Sequence, residues 1–415
     1  MSSEFEKNLN KYAEVIIGVG LNLQPGQRLL IGSRTPIELA PLVRLIVAKA
    51  YQAGARLVDV MWSDDQLRLI RFQHAPGDSF EEFPAWRAEA VFEVAEAGDA
   101  LLSLYAENPD LLIDQRPELV ASVQRTEAKH FKPFADLQIK NAMNWTVATA
   151  PVDGWTEKIF PNLPPGSRKA KLWDTIFEIC RVKRDDPVSA WRDHISKLVA
   201  RSNYLNREGY IALKFTAPGT DLMVGLPRRH VWRGARMTSQ SGIEFTANVP
   251  TEEIFTIPHK DKTEGVVTAT KPLSYRGAFI EGFSLTFSEG RVVRATAEKG
   301  EESLCKLLEM DEGATRLGEV ALVPHSSPIS QSGLLFYNTL IDENASSHIA
   351  LGRALKFSVE GGEAMSDEEF AAAGGNQSLI HVDFMIGSEE MDVDGLKGDG
   401  TAEPVMRGGE WAFDV

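Results

Sequence analysis

The chain is poor in cysteine: Cys180 and Cys305 are its only two, and they lie far apart. Neither a disulfide framework nor a thiolate metal cluster can be built from two dispersed sulfurs, so both are expected to be reduced thiols of a cytoplasmic protein. Long apolar runs are also missing. No eighteen consecutive apolar residues occur, so no membrane-spanning helix is predicted. Residues 1–10 are polar and acidic, with no small-residue cleavage site, and predict no secretory leader. Positive charge is in deficit. With 44 Lys and Arg against 59 Asp and Glu, the formal net charge of -15 argues against nucleic acid or an anionic membrane as partner. Low-complexity linkers and internal repeats are absent as well.

What remains is the composition of an ordinary globular protein whose 415 residues exceed the usual span of one core, so two domains are expected. The first half alternates helix and strand. Residues 4–23 carry helical apolar spacing (Leu9, Tyr12, Ala13, Ile16, Ile17, Val19) up to the turn Gln24-Pro25-Gly26-Gln27. A short strand at 28–32, a helix at 36–54 and a second strand at 57–62 set a right-handed crossover rhythm and predict a parallel sheet. Further strands are expected at 97–103 and 145–150, and a helix at 188–203. From Tyr210 onward the texture turns to β-rich runs with turn residues, at 211–217, 220–226, 242–248, 263–270, 284–287 and 292–297. The fold class is therefore α/β in two domains. An N-terminal α/β domain with a parallel sheet (1–207) precedes a C-terminal α+β domain (208–415), with the boundary at about 205–210.

Four segments of the second domain offer ligand chemistry. In NVPTEEIFTIP (248–258) two prolines stiffen the backbone around an acidic pair, and only one of Glu252 and Glu253 can face a given pocket. Taken alone, this segment reads more simply as a solvated acidic loop. In TRLGEVALVPHSSPIS (315–330) Glu319 interrupts an apolar strand and shares a face with Leu317, Ala321 and Val323; burial there is costly unless the carboxylate is paired or metal-bound. An exposed edge strand is the competing account. In FYNTLIDENASSHIALG (336–352) Asp342 and Asn344 are cap-type residues ahead of an expected helix from Ala345, with Glu343 at its entrance and His348 one turn inside. In HVDFMIGS (381–388) His381 and Asp383 project to one face of a strand.

Carboxylate and imidazole ligands suit zinc, cobalt, manganese or magnesium rather than soft-metal clusters. Glu253, Glu319, Glu343 and Asp383 together carry four negative charges, which two divalent cations would neutralise. Without metal, converging carboxylates repel and take up protons. Two cations roughly 3.5–4 Å apart, bridged by a carboxylate and a water, form a hydrolytic device.

The chain resembles the M29 metallopeptidases, the thermophilic aminopeptidase family. The likeness runs through NKYAEVIIGVGLNLQPGQ (10–27), WSDDQLRL (62–69), WTEKIFPNLP (155–164), YLNREGYIALKFTAPGTDLMVGLP (204–227) and TKPLSYRGAFIEGFSLTFSEGRV (270–292), besides the four segments above. The resemblance implies an aminopeptidase acting on peptides with a free N-terminus, and two divalent ions held by Glu253, Glu319, Glu343, His348, His381 and Asp383. It also implies a homodimer with its sites facing an enclosed cavity. The family's catalytic tyrosine, seven residues after His348, is replaced here by Leu355. On the expected helix Leu355 would share a face with His348. A lost phenol of this kind could remove oxyanion stabilisation of about 2.7–4 kcal/mol. Tyr337 could compensate, but reads as a packing residue of a preceding strand. Leu355 also keeps open a changed reaction on the same scaffold: another metal-dependent hydrolase, or a ring-opening oxygenase. Glu319 is the expected bridging carboxylate and Glu252 a candidate general base. His259 and His325 lie near the motifs and could line the cavity, although a lone histidine is more often simply satisfied by its neighbours.

Overall fold

The computed structural model describes residues 3–275 and 278–415 and divides the chain into two compact units. The first comprises residues 1–194 and 236–250; the second comprises 195–235 and 251–415. The division falls inside the helix Pro187–Glu208, and the chain returns to the first unit for a short stretch before leaving it again. Arg276 and Gly277, within one of the family-like motifs, lie outside the described residues.

The first unit is built on a five-stranded parallel sheet in the order Leu57–Ser63, Arg28–Pro36, Ala100–Leu104, Trp145–Ala148, Asn248–Val249. Parallel neighbours need crossovers, and the helix Ala40–Gln52 supplies the first, burying Leu42, Val43, Ile46 and Ala50. The opening helix is shorter than its apolar spacing suggests. It runs Ser3–Val15 and then widens into the π-helical turn Ile16–Gly20, whose residues stay largely buried. Tyr12, fully buried, donates its hydroxyl to the Thr149 carbonyl at 2.7 Å, satisfying the one polar atom it takes into the core. The run expected as a strand at 242–248 is instead two strands of two residues each, Glu244–Phe245 and Asn248–Val249, the latter completing the parallel sheet.

Among the described residues the second unit holds two large antiparallel sheets and the two-stranded pair Leu273–Tyr275 and Ala278–Ile280. Eight strands from Ala212–Ala217 to Glu410–Trp411 form the larger, in which Leu213, Phe215, Leu222, Val224, Leu285 and Val393 are fully buried. The smaller has four strands in the order Ile254–Thr256, Leu317–Leu322, His348–Gly352, His381–Met385, and it carries the candidate ligands.

Two expectations are overturned here. His348 does not lie on a helix. The helical turns precede it, as Thr339–Asp342 and a 3-10 turn Glu343–Ala345, and His348 opens a strand. The β-branched and apolar sequence His348-Ile-Ala-Leu-Gly finds antiparallel partners on both sides, and that pairing outweighs the cap-like signal of Asp342 and Asn344. Leu355 consequently shares no helical face with His348; it sits half-buried in extended conformation (φ −93°, ψ 116°) before a 3-10 turn. Among the described residues, no helix is long and apolar enough to cross a membrane.

Candidate metal centre

Cross-strand partners in an antiparallel sheet share a face. Glu319, Ala350 and Asp383 are opposite one another across three strands, and so are Ala321, His348 and Met385. The period of two then puts His381 with Asp383, and His348 with Ala350, so all four ligand-type side chains leave one face. Ala321 and Ala350 between them are too short to fill the space above the sheet. Glu253 joins from the residue just before Ile254–Thr256, the neighbouring strand. The strand Leu317–Leu322 is buried along its whole length, so the edge-strand account of Glu319 does not hold. Its expected alternation is interrupted: Gly318 is an extra residue that shifts the register, and a side chain there would meet the Gly352 and Arg353 carbonyls at 2.4 and 2.5 Å.

The side chains form two overlapping groups. Glu253, Glu319 and His348 offer ligand atoms within 4.8 Å of one another, and so do Glu319, His381 and Asp383. Glu319 belongs to both. Its Oε1 stands 3.7 Å from His348 Nε2 and its Oε2 3.5 Å from His381 Nε2. Glu253 Oε2 lies 3.2 Å from His348 Nε2, and Asp383 Oδ1 lies 3.5 Å from His381 Nε2. Each imidazole is fixed from behind by a backbone carbonyl. His348 Nδ1 is 3.2 Å from the Ser346 oxygen, and His381 Nδ1 is 2.7 Å from the Arg353 oxygen. With Nδ1–H donated to a carbonyl, each Nε2 lone pair is turned toward the carboxylates, which is the orientation a ligating histidine requires.

The electrostatics are dominated by burial and by the mutual charges of the cluster. Burial pushes the Glu319 carboxyl up, against the pull of His348 and His381. Burial also raises Glu343 well above the usual range, and the charges of Glu253 and Asp383 raise it further. Burial opposes charge on both histidines, but surrounding carboxylates outweigh it: Glu253 and Glu319 hold His348 high, and Asp383 and Glu319 push His381 up to about 10. Asp383, penalised by burial, is nonetheless drawn below its ordinary value by His381. Its buried Oδ1 accepts no hydrogen bond among the described residues. Protons on the histidines here do what divalent cations would do better, and the hard oxygen and imidazole donors fit such ions.

The remaining expected residues fall around these groups. Glu343 belongs to neither triad; it is half-buried, receives Asn344 Nδ2 at 3.4 Å, and acts on the cluster through its charge. Glu252 is buried outside both triads, with its peptide N–H given to Asn344 Oδ1 at 2.7 Å and its charge felt by Arg201. His259 accepts the Asp261 N–H at 3.2 Å and is not in the cluster. His325 lines a separate cavity. Tyr337 is not on a strand: it occupies a left-handed turn (φ 54°) with its ring 5.8 Å from that of Phe279. Asp342 holds that turn by accepting the Phe336 and Asn338 N–H groups at 2.8 and 3.0 Å. Asp342 and Asn344, expected as helix caps, instead support the 336–338 turn and the Glu252 segment, and the Ser346 and Arg353 carbonyls are supports that the sequence does not signal.

The profile of the family described as thermophilic metalloprotease (M29) matches residues 5–411. Aminopeptidase 2 of Geobacillus stearothermophilus is 48% identical over 413 residues, covering 100% of both chains. Aminopeptidase AmpS of Bacillus subtilis (strain 168) is 47% identical over 409 residues, covering 99% of each. The structure of wild-type AmpT from Thermus thermophilus superposes with a TM-score of 0.93 at 44% identity, covering 99% of this chain and 100% of that one. A 2,5-dihydroxypyridine dioxygenase from Pseudomonas putida KT2440 shares the fold alone, with a TM-score of 0.53 at 11% identity. Whole-length matches of this depth, on a chain whose acids and histidines converge on one sheet face, mean that it belongs to the thermophilic metalloprotease (M29) family and is a metallo-aminopeptidase.

Proposed function

We propose that the enzyme removes the N-terminal residue from peptides using a pair of divalent cations, zinc, cobalt, manganese or magnesium, held by Glu253, Glu319, Glu343, His348, His381 and Asp383. The observation that carries this reading is the double membership of Glu319, whose two oxygens face two different histidines. One triad would hold one ion and the second triad the other, with Glu319 between them. When bound, such ions supply an activated water at neutral pH and a Lewis acid for the scissile carbonyl. The chain's own residues do the rest. The Ser346 and Arg353 carbonyls keep both imidazoles aimed at the cluster. Glu343, at the margin of the triads, would complete the neutral count of four carboxylates against two dications, and a metal or a nearby carboxylate would hold the substrate's free ammonium. Glu252, buried beside Glu253 with its peptide N–H held by Asn344, would be the candidate general base for the water's proton. The family resemblance and the low cysteine content support a cytoplasmic homodimer.

The test is metal analysis of the purified protein joined to hydrolysis of leucyl and other aminoacyl chromogenic amides. Two ions per chain, activity lost to a chelator and regained with cobalt or zinc is the expected result. One ion per chain would overturn the paired-cation reading, and undiminished hydrolysis by metal-free protein would overturn the mechanism altogether.

A further inference from the structure

Beside the ligand sheet, within the second unit, lies a cavity of about 500 Å³. This is the size range of small-ligand sites. Its apolar wall includes Pro272, Leu334 and Leu335, and its other walls include Ser346, Gly387 and Lys271. Two features tie it to the metal centre. Ser346 lines the cavity and also gives its carbonyl to His348. Ser346 is extended (φ −162°, ψ 166°), so at roughly 3.3 Å per residue it stands about 7 Å from His348, the reach of two peptide residues. Gly387 likewise stands four residues beyond Asp383 on the neighbouring strand's path, and a side chain there would meet the Ser347 nitrogen at 2.7 Å.

Lys271 is the unusual group in this wall. Among the described residues it makes no hydrogen bond and no ion pair, and burial pulls its ammonium below the ordinary lysine range. Asp342 acts on it only through charge, since both Asp342 oxygens are engaged with the Phe336 and Asn338 N–H groups. A half-buried ammonium without an acceptor is a costly feature unless a ligand provides one. The negative groups of the cavity, Glu389 and Glu390, belong to its rim; Glu389 is 78% exposed and stands 3.9 Å from His325 Nε2. Solvent weakens their repulsion of an anion held at Lys271.

We propose that this cavity receives the departing part of the peptide, and that Lys271 is a specificity-determining residue that binds its terminal carboxylate. The inference rests on the aminopeptidase reading above and narrows its substrates to short peptides, of two or three residues, with a free C-terminus. Such a peptide with its first carbonyl at the triads has its carboxylate one or two residues further on, within the span from His348 to the cavity wall. Longer chains would have to leave past the acidic rim, and C-terminal amides would leave Lys271 without its anion.

The experiment compares kcat/KM for leucyl-glycyl-glycine, for its C-terminal amide, and for a leucyl anilide, using the metal-loaded full chain. Wild type is expected to favour the free acid over the amide about tenfold, the scale of one charge-assisted hydrogen bond partly screened by solvent. In Lys271→Met that ratio falls toward one, chiefly through a rise in KM for the acid, whereas Lys271→Arg retains most of it. Turnover of the anilide with no acid-to-amide preference in wild type overturns this inference and leaves the aminopeptidase reading standing. Absence of turnover on all three overturns both. Should Lys271→Met fold poorly, as seen in its thermal midpoint, the wild-type ratio and the Lys271→Arg ratio still decide the question.

Discussion

The residue on which most depends is Glu319, because among the described residues it alone belongs to both ligand groups and faces both histidines. Glu319→Gln keeps the volume and removes the charge. It is expected to lower bound metal to one ion or fewer per chain and kcat/KM on a leucyl anilide at least about 100-fold, with the thermal midpoint of metal-free protein unchanged or raised, since a buried carboxylate is costly when unpaired. Metal content and activity measured on one preparation check this; full occupancy with full activity would remove Glu319 from the bridging role. Leu355 poses the opposite question. The leucine stands where the family resemblance implies a tyrosine, and it lies on an extended segment and not on a helix. Leu355→Tyr is expected to raise kcat about tenfold or more with little change in KM, as a regained oxyanion donor would. An unchanged or lowered kcat would show that this chain does its chemistry without that phenol. At this scale the sequence was informative about ligand type. His381 and Asp383 sit two apart on a strand as their spacing implies, and Glu319 is buried as its apolar neighbours imply. What stayed hidden was support by main-chain atoms: the Ser346 and Arg353 carbonyls that orient the two imidazoles have no side-chain signature at all.

Elements are placed by pairing, and pairing is what a single sequence reveals least. The crossover rhythm of residues 28–62 disclosed the parallel sheet because helix and strand periods differ along one continuous stretch. The strand His348–Gly352 was misread as helix because its evidence lies in its partners, Leu317–Leu322 and His381–Met385, and not in its own five residues. Two-residue strands such as Asn248–Val249 carry no periodicity to detect. The bulge at Gly318 was equally illegible, yet it aligns Glu319 with Ala350 and Asp383. With the Gly352 and Arg353 carbonyls closing over it, Gly318→Ala must push the two strands apart. The expected cost is about 1–3 kcal/mol by overpacking, accompanied by weaker metal binding because the Arg353 carbonyl also orients His381. Chemical denaturation and a metal titration of the variant measure both effects. A variant as stable and as tightly metallated as wild type would mean that the register is set elsewhere.

For the molecule as a whole, the cluster links stability to metal and to pH. Glu319, Glu343, His348 and His381 all hold protons more tightly in the folded metal-free chain than in the unfolded one. The histidine contribution is complete below the unfolded value of about 6.5 and is lost as pH rises through the folded value, about 10 for His381. The two raised glutamates add a penalty that begins above their unfolded value of about 4.3 and grows until the folded value is passed. Asp383 has the opposite sign: its contribution is present above its unfolded value and is lost only in stronger acid, outside this window. Metal-free protein should therefore lose stability steadily between about pH 6 and pH 9. Cations compete with the same protons, so their affinity rises over the same interval. Ligand present at 100 times its dissociation constant adds about 2.7 kcal/mol. The metal-induced rise in thermal midpoint is accordingly expected to be several degrees larger at pH 8.5 than at pH 6, on the order of 5 °C. Thermal scans of chelated and reloaded protein at the two pH values measure it directly. A metal increment that shrinks toward alkaline pH would mean that these four groups do not gather around the bound ions.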